Sequence, residues 1–263
     1  LKHMAGLDNF CWCDPSRSEK NPDGEHKLAQ LVRANEALFE LTTSYGVPCI
    51  SGKDSMKNDY QIGEIRISIP PTLLFSVLGK MEDVRKAVTM DVKKPGDLVY
   101  LLGQTYRELG GSEWYAFHGK IGNGVPRVHP KTAKARYEKL GCTIRAGLVA
   151  SCHDCSDGGL GVALAETAFA GGFGLAIDLK AVPAEGIARN DELLFSESQS
   201  RFVVTVRPES RQAFEDALAG SVFARIGLVI PEPTLRIEGL HGENIVTENL
   251  ADLQSAWQKP LVF

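Results

Sequence analysis

The chain of 263 residues is 43% hydrophobic and 24% charged, a balance that suits a globular protein with a substantial core. Its net charge of −4 and pI near 5.9 exclude the basic face that non-specific nucleic-acid binding requires. No apolar run approaches the roughly 20 residues of a membrane span, and residues 1–9 lack the apolar segment of a signal peptide. No membrane association is expected, and a cytoplasmic location is.

The apolar approach Ala5 to Leu7 leads to Asp8, expected at a strand end. Asp14 to Glu25 is a polar loop. His26 to Tyr45 has Leu28, Leu31, Val32, Leu38 and Leu41 at helical spacing, and Gly46 suits the position just past the helix end. Val47 to Ile50 then reads as a buried strand ending at Ser51-Gly52. Beyond it Lys53, Asp54 and Ser55 are expected on a loop. Gly52 lets a ligand approach the backbone, Lys53 brings a mobile positive charge, Asp54 a carboxylate that can hold a metal, and Ser55 a hydroxyl. Together they suit a nucleotide phosphate and its Mg²⁺. The alternative is a polar turn whose lysine and aspartate pair in solvent. The G-x-x-x-x-G-K-[ST] pattern of a P-loop is absent.

Glu64 to Ile69 alternates as a half-buried strand, Thr72 to Lys80 is a long apolar strand, and Glu82 to Ala87 a short helix. Lys93 to Asp97, K-K-P-G-D, reads as a junction, so domains are expected at 1–93 and 94–263. In the second, strands are expected over Leu98–Leu102, Leu148–Cys152, Leu175–Leu179, Phe202–Val206 and Ala224–Ile230. Helices are expected over Thr132–Leu140, Leu160–Ala170, Ser210–Ala219 and Leu250–Trp257, with a hairpin beginning near Leu235 and a loop from Leu109 to Arg127. The fold class is therefore layered, α+β or α/β.

Two turns in the second half carry polar groups. His153 to Gly159, H-D-C-S-D-G-G, joins a strand to a helix start, where free N–H groups and paired glycines suit a phosphate at Asp157, Gly158 and Gly159. Equally, Ser156 or Asp157 caps the helix. Glu197 and Gln199, in L-L-F-S-E-S-Q-S-R-F, either bind a polar ligand or satisfy backbone groups at a turn. Cys152-x-x-Cys155 has no second such pair, and Cys11 and Cys13 form only a C-x-C, so reduced, mostly buried thiols are expected rather than zinc.

Five ordered motifs carry a likeness to a known family: D-N-F-C-W-C-D-P, P-C-I-S-G-K-D-S-M-K-N, L-G-G-S-E, H-D-C-S-D-G-G-L and L-L-F-S-E-S-Q-S-R-F. From Asp8 to about Ile230 the chain resembles the carboxy-terminal half of the large synthetase subunit of the phosphoribosylformylglycinamidine synthases, in the aminoimidazole ribonucleotide synthetase (PurM-like) superfamily. The resemblance implies a partial, barrel-forming α+β domain followed by a layered α/β domain. It also implies a reaction: ATP activates the amide oxygen of formylglycinamide ribonucleotide, and glutamine-derived ammonia displaces the phosphate. By that likeness Asp8, Gly52 and Lys53 contact ATP, Ser55 contacts substrate, and Glu197 and Gln199 contact substrate or an auxiliary nucleotide. Lys53 stands where shorter members place a Mg²⁺-binding asparagine, so Asp54 is expected to replace it. The family's catalytic histidine lies in the amino-terminal half, so no catalytic residue is assigned here. An inactive fragment is expected, with that missing half and a glutaminase as partners and a homodimer as a further possibility. A second expectation, of another class, is a non-catalytic nucleotide-holding module. Either way Asp8, Gly52 to Ser55 and Asp157 are expected to share one nucleotide.

Overall fold

The computed structural model describes residues 3–261 and divides into two compact units, Leu1–Val84 and Arg85–Phe263. In the first, β1 (Met4–Cys11), α1 (Gly24–Tyr45) and β2 (Cys49–Ser55) form a strand–helix–strand unit whose strands pair in parallel. The hairpin β3 (Asp59–Ile62) and β4 (Ile65–Ser68) precedes β5 (Thr72–Gly79), which pairs antiparallel with β1. The open sheet has the order β2-β1-β5, so β2 is an edge strand.

A small core holds this unit. Phe10, Trp12 and Cys13 pack against Leu31, Ala34, Leu38, Ile69 and Leu73. Trp12 donates its indole N–H to the Lys27 carbonyl at 3.1 Å, and Lys27 Nζ reaches Asn21 at 2.7 Å and Asp23 at 3.0 Å. The apolar stripe expected on α1 is thereby split: Leu31 and Leu38 face the core, whereas Leu28 and Val32 are exposed. Gly46 closes α1 at φ 71°, a left-handed conformation that glycine adopts without steric cost, and donates its N–H to the Thr42 and Thr43 carbonyls.

The second unit is built on β6 (Leu98–Leu102), followed by α2 (Glu113–Phe117), α3 (Pro130–Arg145), β7 (Ser151–Asp154), α4 (Gly159–Gly171) and β8 (Gly174–Asp178). Then come α5 (Asn190–Phe195), β9 (Phe202–Val206), α6 (Arg211–Ala217), β10 (Phe223–Ile230), β11 (Thr234–Glu238), β12 (Asn244–Asn249) and α7 (Leu250–Gln258). Seven strands lie in the order β12-β11-β8-β10-β6-β9-β7, and only the β8–β11 pairing is parallel.

All five residues of β6 are buried. Val99 and Leu101 enter one core with Leu160, Leu164, Leu175 and Leu193, while Leu98, Tyr100 and Leu102 enter the other with Leu140, Phe214 and Leu218. A strand covered on both faces reads as an unbroken apolar run, which is why its sequence shows no alternation. Each fully buried leucine is worth about 1.5–3 kcal/mol of transfer free energy.

The units divide between Val84 and Arg85 rather than at the K-K-P-G-D turn. Residues beyond that division already belong to the second unit: Val92 packs in its first core, and Cys152 N–H donates to the Thr89 carbonyl at 3.1 Å. The turn residues shape a local bend into β6. Among the described residues, no helix is long and apolar enough to cross a membrane.

Candidate functional site

The Gly52–Ser55 segment lies within strand β2, not on a loop beyond it. It pairs residue by residue with β1: Asp8 with Gly52, Asn9 with Lys53, Phe10 with Asp54 and Cys11 with Ser55. Side chains alternate along a strand, so this register sorts the polar groups onto two faces. Asp8, Gly52 and Asp54 share one face, and Lys53 and Ser55 lie on the other. The lysine and serine satisfy each other, with Lys53 Nζ donating to Ser55 Oγ. The expectation of one cluster delivered by a loop is therefore corrected: backbone pairing carries the strand through residues that show no apolar periodicity.

What the register does assemble is Asp8 against Gly52. A Cβ at position 52 would stand 2.7 and 2.8 Å from the two Asp8 carboxylate oxygens. The carboxylate thus rests over the bare Cα, and a side chain there would displace it. Asp54 follows on the same face, two positions along. Among the described residues no group of three His, Cys, Asp or Glu is disposed to hold a metal ion. Mg²⁺ commonly takes one or two carboxylates and completes its shell with water and phosphate. Asp8, opposite Gly52, and Asp54, opposite Phe10, lie on one face, and two carboxylates match that donor set.

In the second unit, β7 ends in the H-D-C-S-D-G-G turn. Gly158 adopts φ 75° and Gly159 φ 65°, and at Gly159 a Cβ would meet the Ser196 carbonyl oxygen at 2.4 Å. The turn is closed from within. Glu197 Oε1 accepts the Gly158 N–H at 2.8 Å and the Glu113 N–H, at the start of α2, at 2.9 Å. Gly159 N–H donates to the Ser156 carbonyl at 2.9 Å. Of the two glycine amides expected to cradle a phosphate, Gly158's is taken by this chain's own carboxylate and Gly159's by the Ser156 carbonyl. Asp157 itself is exposed.

Glu197 sits on a loop that is locked by groups the sequence did not single out. Arg201 is fully buried and donates to the carbonyls of Ser198 (2.9 Å) and Ser196 and to Thr105 Oγ1 (3.0 Å). Ser196 and Ser198 accept the N–H groups of Glu108 and Tyr106 at 3.2 and 3.0 Å. Gln199 is exposed and donates to the Glu197 carbonyl at 3.1 Å. The only advance signal was the alternation of serine with larger polar residues before a strand.

His153 bonds Glu166 at 2.8 Å, and Glu166 accepts the Trp257 indole N–H at 3.0 Å, which ties α7 to α4. Burial pushes the Cys152 thiol up to about 12 and the Cys155 thiol to about 11. Both are therefore held as thiols at neutral pH.

The layered second unit and the strand–helix–strand first unit define the class. Residues 94–239 match the family described as AIR synthase related protein, C-terminal domain, and the chain belongs to that family. Over 248 residues it is 36% identical to phosphoribosylformylglycinamidine synthase subunit PurL of Alkaliphilus metalliredigens (strain QYMF), a match covering 93% of this chain. The chain spans about a third of that relative's length. Among solved structures, PurLQS from Thermotoga maritima aligns with TM-score 0.68 and 22% identity, over 95% of this chain and 37% of that one. T. maritima PurL complexed with ATP gives 0.66 and 21%, over the same shares. E. coli HypE, a hydrogenase maturation protein, gives 0.66 and 18%, over 94% of this chain and 73% of that one. At these identities the structural likeness speaks to the fold.

Proposed function

We propose that this chain forms part of a phosphoribosylformylglycinamidine synthase, a cytoplasmic ATP-dependent carbon–nitrogen ligase of purine biosynthesis. In that reaction formylglycinamide ribonucleotide is amidated with ammonia from a glutaminase partner. The observation that carries the proposal is the Asp8 carboxylate held over Gly52, in a chain that shares 36% identity with a PurL subunit. A half-buried carboxylate beside a bare backbone suits a nucleotide's polar groups and Mg²⁺. Asp8 and Asp54 would hold the ion, which when bound neutralises phosphate charge as the phosphoryl group transfers. Asp8 orients the nucleotide, and Gly52 keeps the approach open. Lys53 and Ser55, on the opposite face, are free to act there only by giving up their mutual bond. With no catalytic residue assigned to it, the chain works beside an amino-terminal half and is inactive alone.

The second reading, a nucleotide-holding module, is favoured by one feature: Lys53 with Ser55, and Gly158 with Glu197, are already paired internally. The test is twofold. Calorimetric titration with ATP, with and without Mg²⁺, is expected to show metal-dependent binding that Asp8→Asn weakens. Product formation from formylglycinamide ribonucleotide, ATP and ammonia is expected only when the amino-terminal half is supplied. Turnover by the chain alone refutes the division of labour. Binding without restored turnover selects the module.

A further inference from the structure

Beside the Glu197–Gln199 turn, the second unit contains a hollow of about 160 Å³ at the start of α3. Its wall is Gln104, Arg127, His129, Thr132, Arg136 and Gln199, joined by Tyr106 and Ser200, with no Asp or Glu among the lining residues. Arg136 is the unusual member. It is only 7% exposed, and its Nε makes no hydrogen bond. Nη1 donates to the Ser200 carbonyl at 2.6 Å. Burial disfavours its charged form, the Tyr137 and Tyr106 hydroxyls oppose that, and the Arg201 cation adds to it. An arginine cannot shed its proton in a protein, so Arg136 is a buried positive charge that forms no ion pair among the described residues. Burying such a charge is unfavourable when nothing compensates it.

The surroundings are built to hold the guanidinium in place. Gly103, at φ 101°, leaves room where a Cβ would stand 3.1 Å from Arg136 Nη1. Ser200 is held at φ 64°, a left-handed conformation costly for a non-glycine residue, and its hydroxyl bonds the Tyr137 hydroxyl at 2.6 Å. The 16-residue helix α3 opens with Pro130 and has no side-chain cap at His129, so its N-terminus adds the positive end of the helix dipole to the same hollow.

We infer that this hollow binds an oxyanion, namely a phosphate group. Arginine matches phosphate in shape, and helix N-termini favour it. The hollow is smaller than the roughly 300 Å³ at which small-molecule pockets begin, so it takes one phosphate head and not a whole nucleotide. The inference is independent of the ATP reading of the first unit. Free phosphate and the phosphate of a monoester share this chemistry.

The test is thermal unfolding and calorimetric titration with inorganic phosphate and, separately, glycerol 3-phosphate, each against chloride at matched ionic strength. The wild-type chain is expected to bind at least one probe saturably and to melt higher with it. Arg136→Met is expected to lose at least tenfold in affinity and, in phosphate-free buffer, to melt no lower than wild type, because an uncompensated charge has been removed. Arg127→Ala, at an exposed position, is expected to weaken binding at least threefold with the fold intact. Whichever probe binds tighter identifies the source of the phosphate. Equal responses of wild type and Arg136→Met, no saturable binding of either probe, or an unchanged affinity in Arg127→Ala overturns the inference.

Discussion

Replacing Glu197 removes the internal anion that closes the His153–Gly159 turn. One carboxylate oxygen accepts two N–H groups, at 2.8 Å from Gly158 and 2.9 Å from Glu113. A hydrogen bond to a charged group is worth about 1.5–3 kcal/mol net. Gly158 is buried, so its N–H has no water to turn to and belongs at the upper end of that range; the Glu113 bond is part-buried and belongs at the lower. Glu197→Ala is therefore expected to destabilise the second unit by about 4–5 kcal/mol. Glu197→Gln keeps a carbonyl acceptor and loses only the charge, for a cost of about 1–2 kcal/mol. Urea unfolding followed through the second unit's transition measures both. Acetate added to the alanine variant is expected to restore part of the loss saturably, by occupying the vacated cradle. Equal effects of Ala and Gln, or equal effects of acetate and chloride, would refute the internal-anion account.

Gly52→Ala separates fold from ligand. Alanine is favoured over glycine in a strand by about 0.5–1 kcal/mol, and turning Asp8 aside costs a similar amount, so chemical denaturation is expected to show little change. ATP·Mg²⁺ affinity is expected to fall at least tenfold, and unaltered binding would count against Asp8 as a nucleotide contact. Asp97 is a buried carboxylate, 2% exposed, with Oδ2 lacking a hydrogen bond, and burial holds its pKa above the ordinary 3.8 despite Arg207 and Lys94. A raised carboxylate pKa means ionisation weakens the fold as pH rises from 3.8 through the native value. Asp97→Asn is expected to stabilise the second unit at pH 7, with the advantage fading on acidification and gone below 3.8; a less stable variant at neutral pH contradicts this.

The second unit was largely legible because its strands are short apolar runs between turn residues. β6 and β9 lie where the sequence placed them, at Leu98–Leu102 and Phe202–Val206. Helix α3 runs on to Arg145 through Gly141, which the sequence took for its end; one glycine does not stop a helix whose face is packed by Leu140 and Thr143. The five-residue α2 was read as loop, since its only local signal is Ser112, whose hydroxyl caps the Tyr115 N–H. The β3–β4 hairpin was half seen, because Asp59–Ile62 alternates too briefly to register. β2 was the larger miss: S-G-K-D-S has no apolar period, and only pairing with β1 extends the strand through it. Of the site, Gly52 and Asp8 were singled out separately, but their apposition is a matter of register. The roles of Glu197 and Arg136 depend on partners 39 and 64 residues away.

Strand β6 divides two interiors with a single thickness of backbone, and its odd and even positions answer to different neighbours. Damage at Val99 is a problem for Leu160 and Leu164 to repair, while damage one step along at Tyr100 falls to Phe214 and Leu218. Second-site suppressors gathered along this strand would accordingly sort by parity rather than by proximity in the chain.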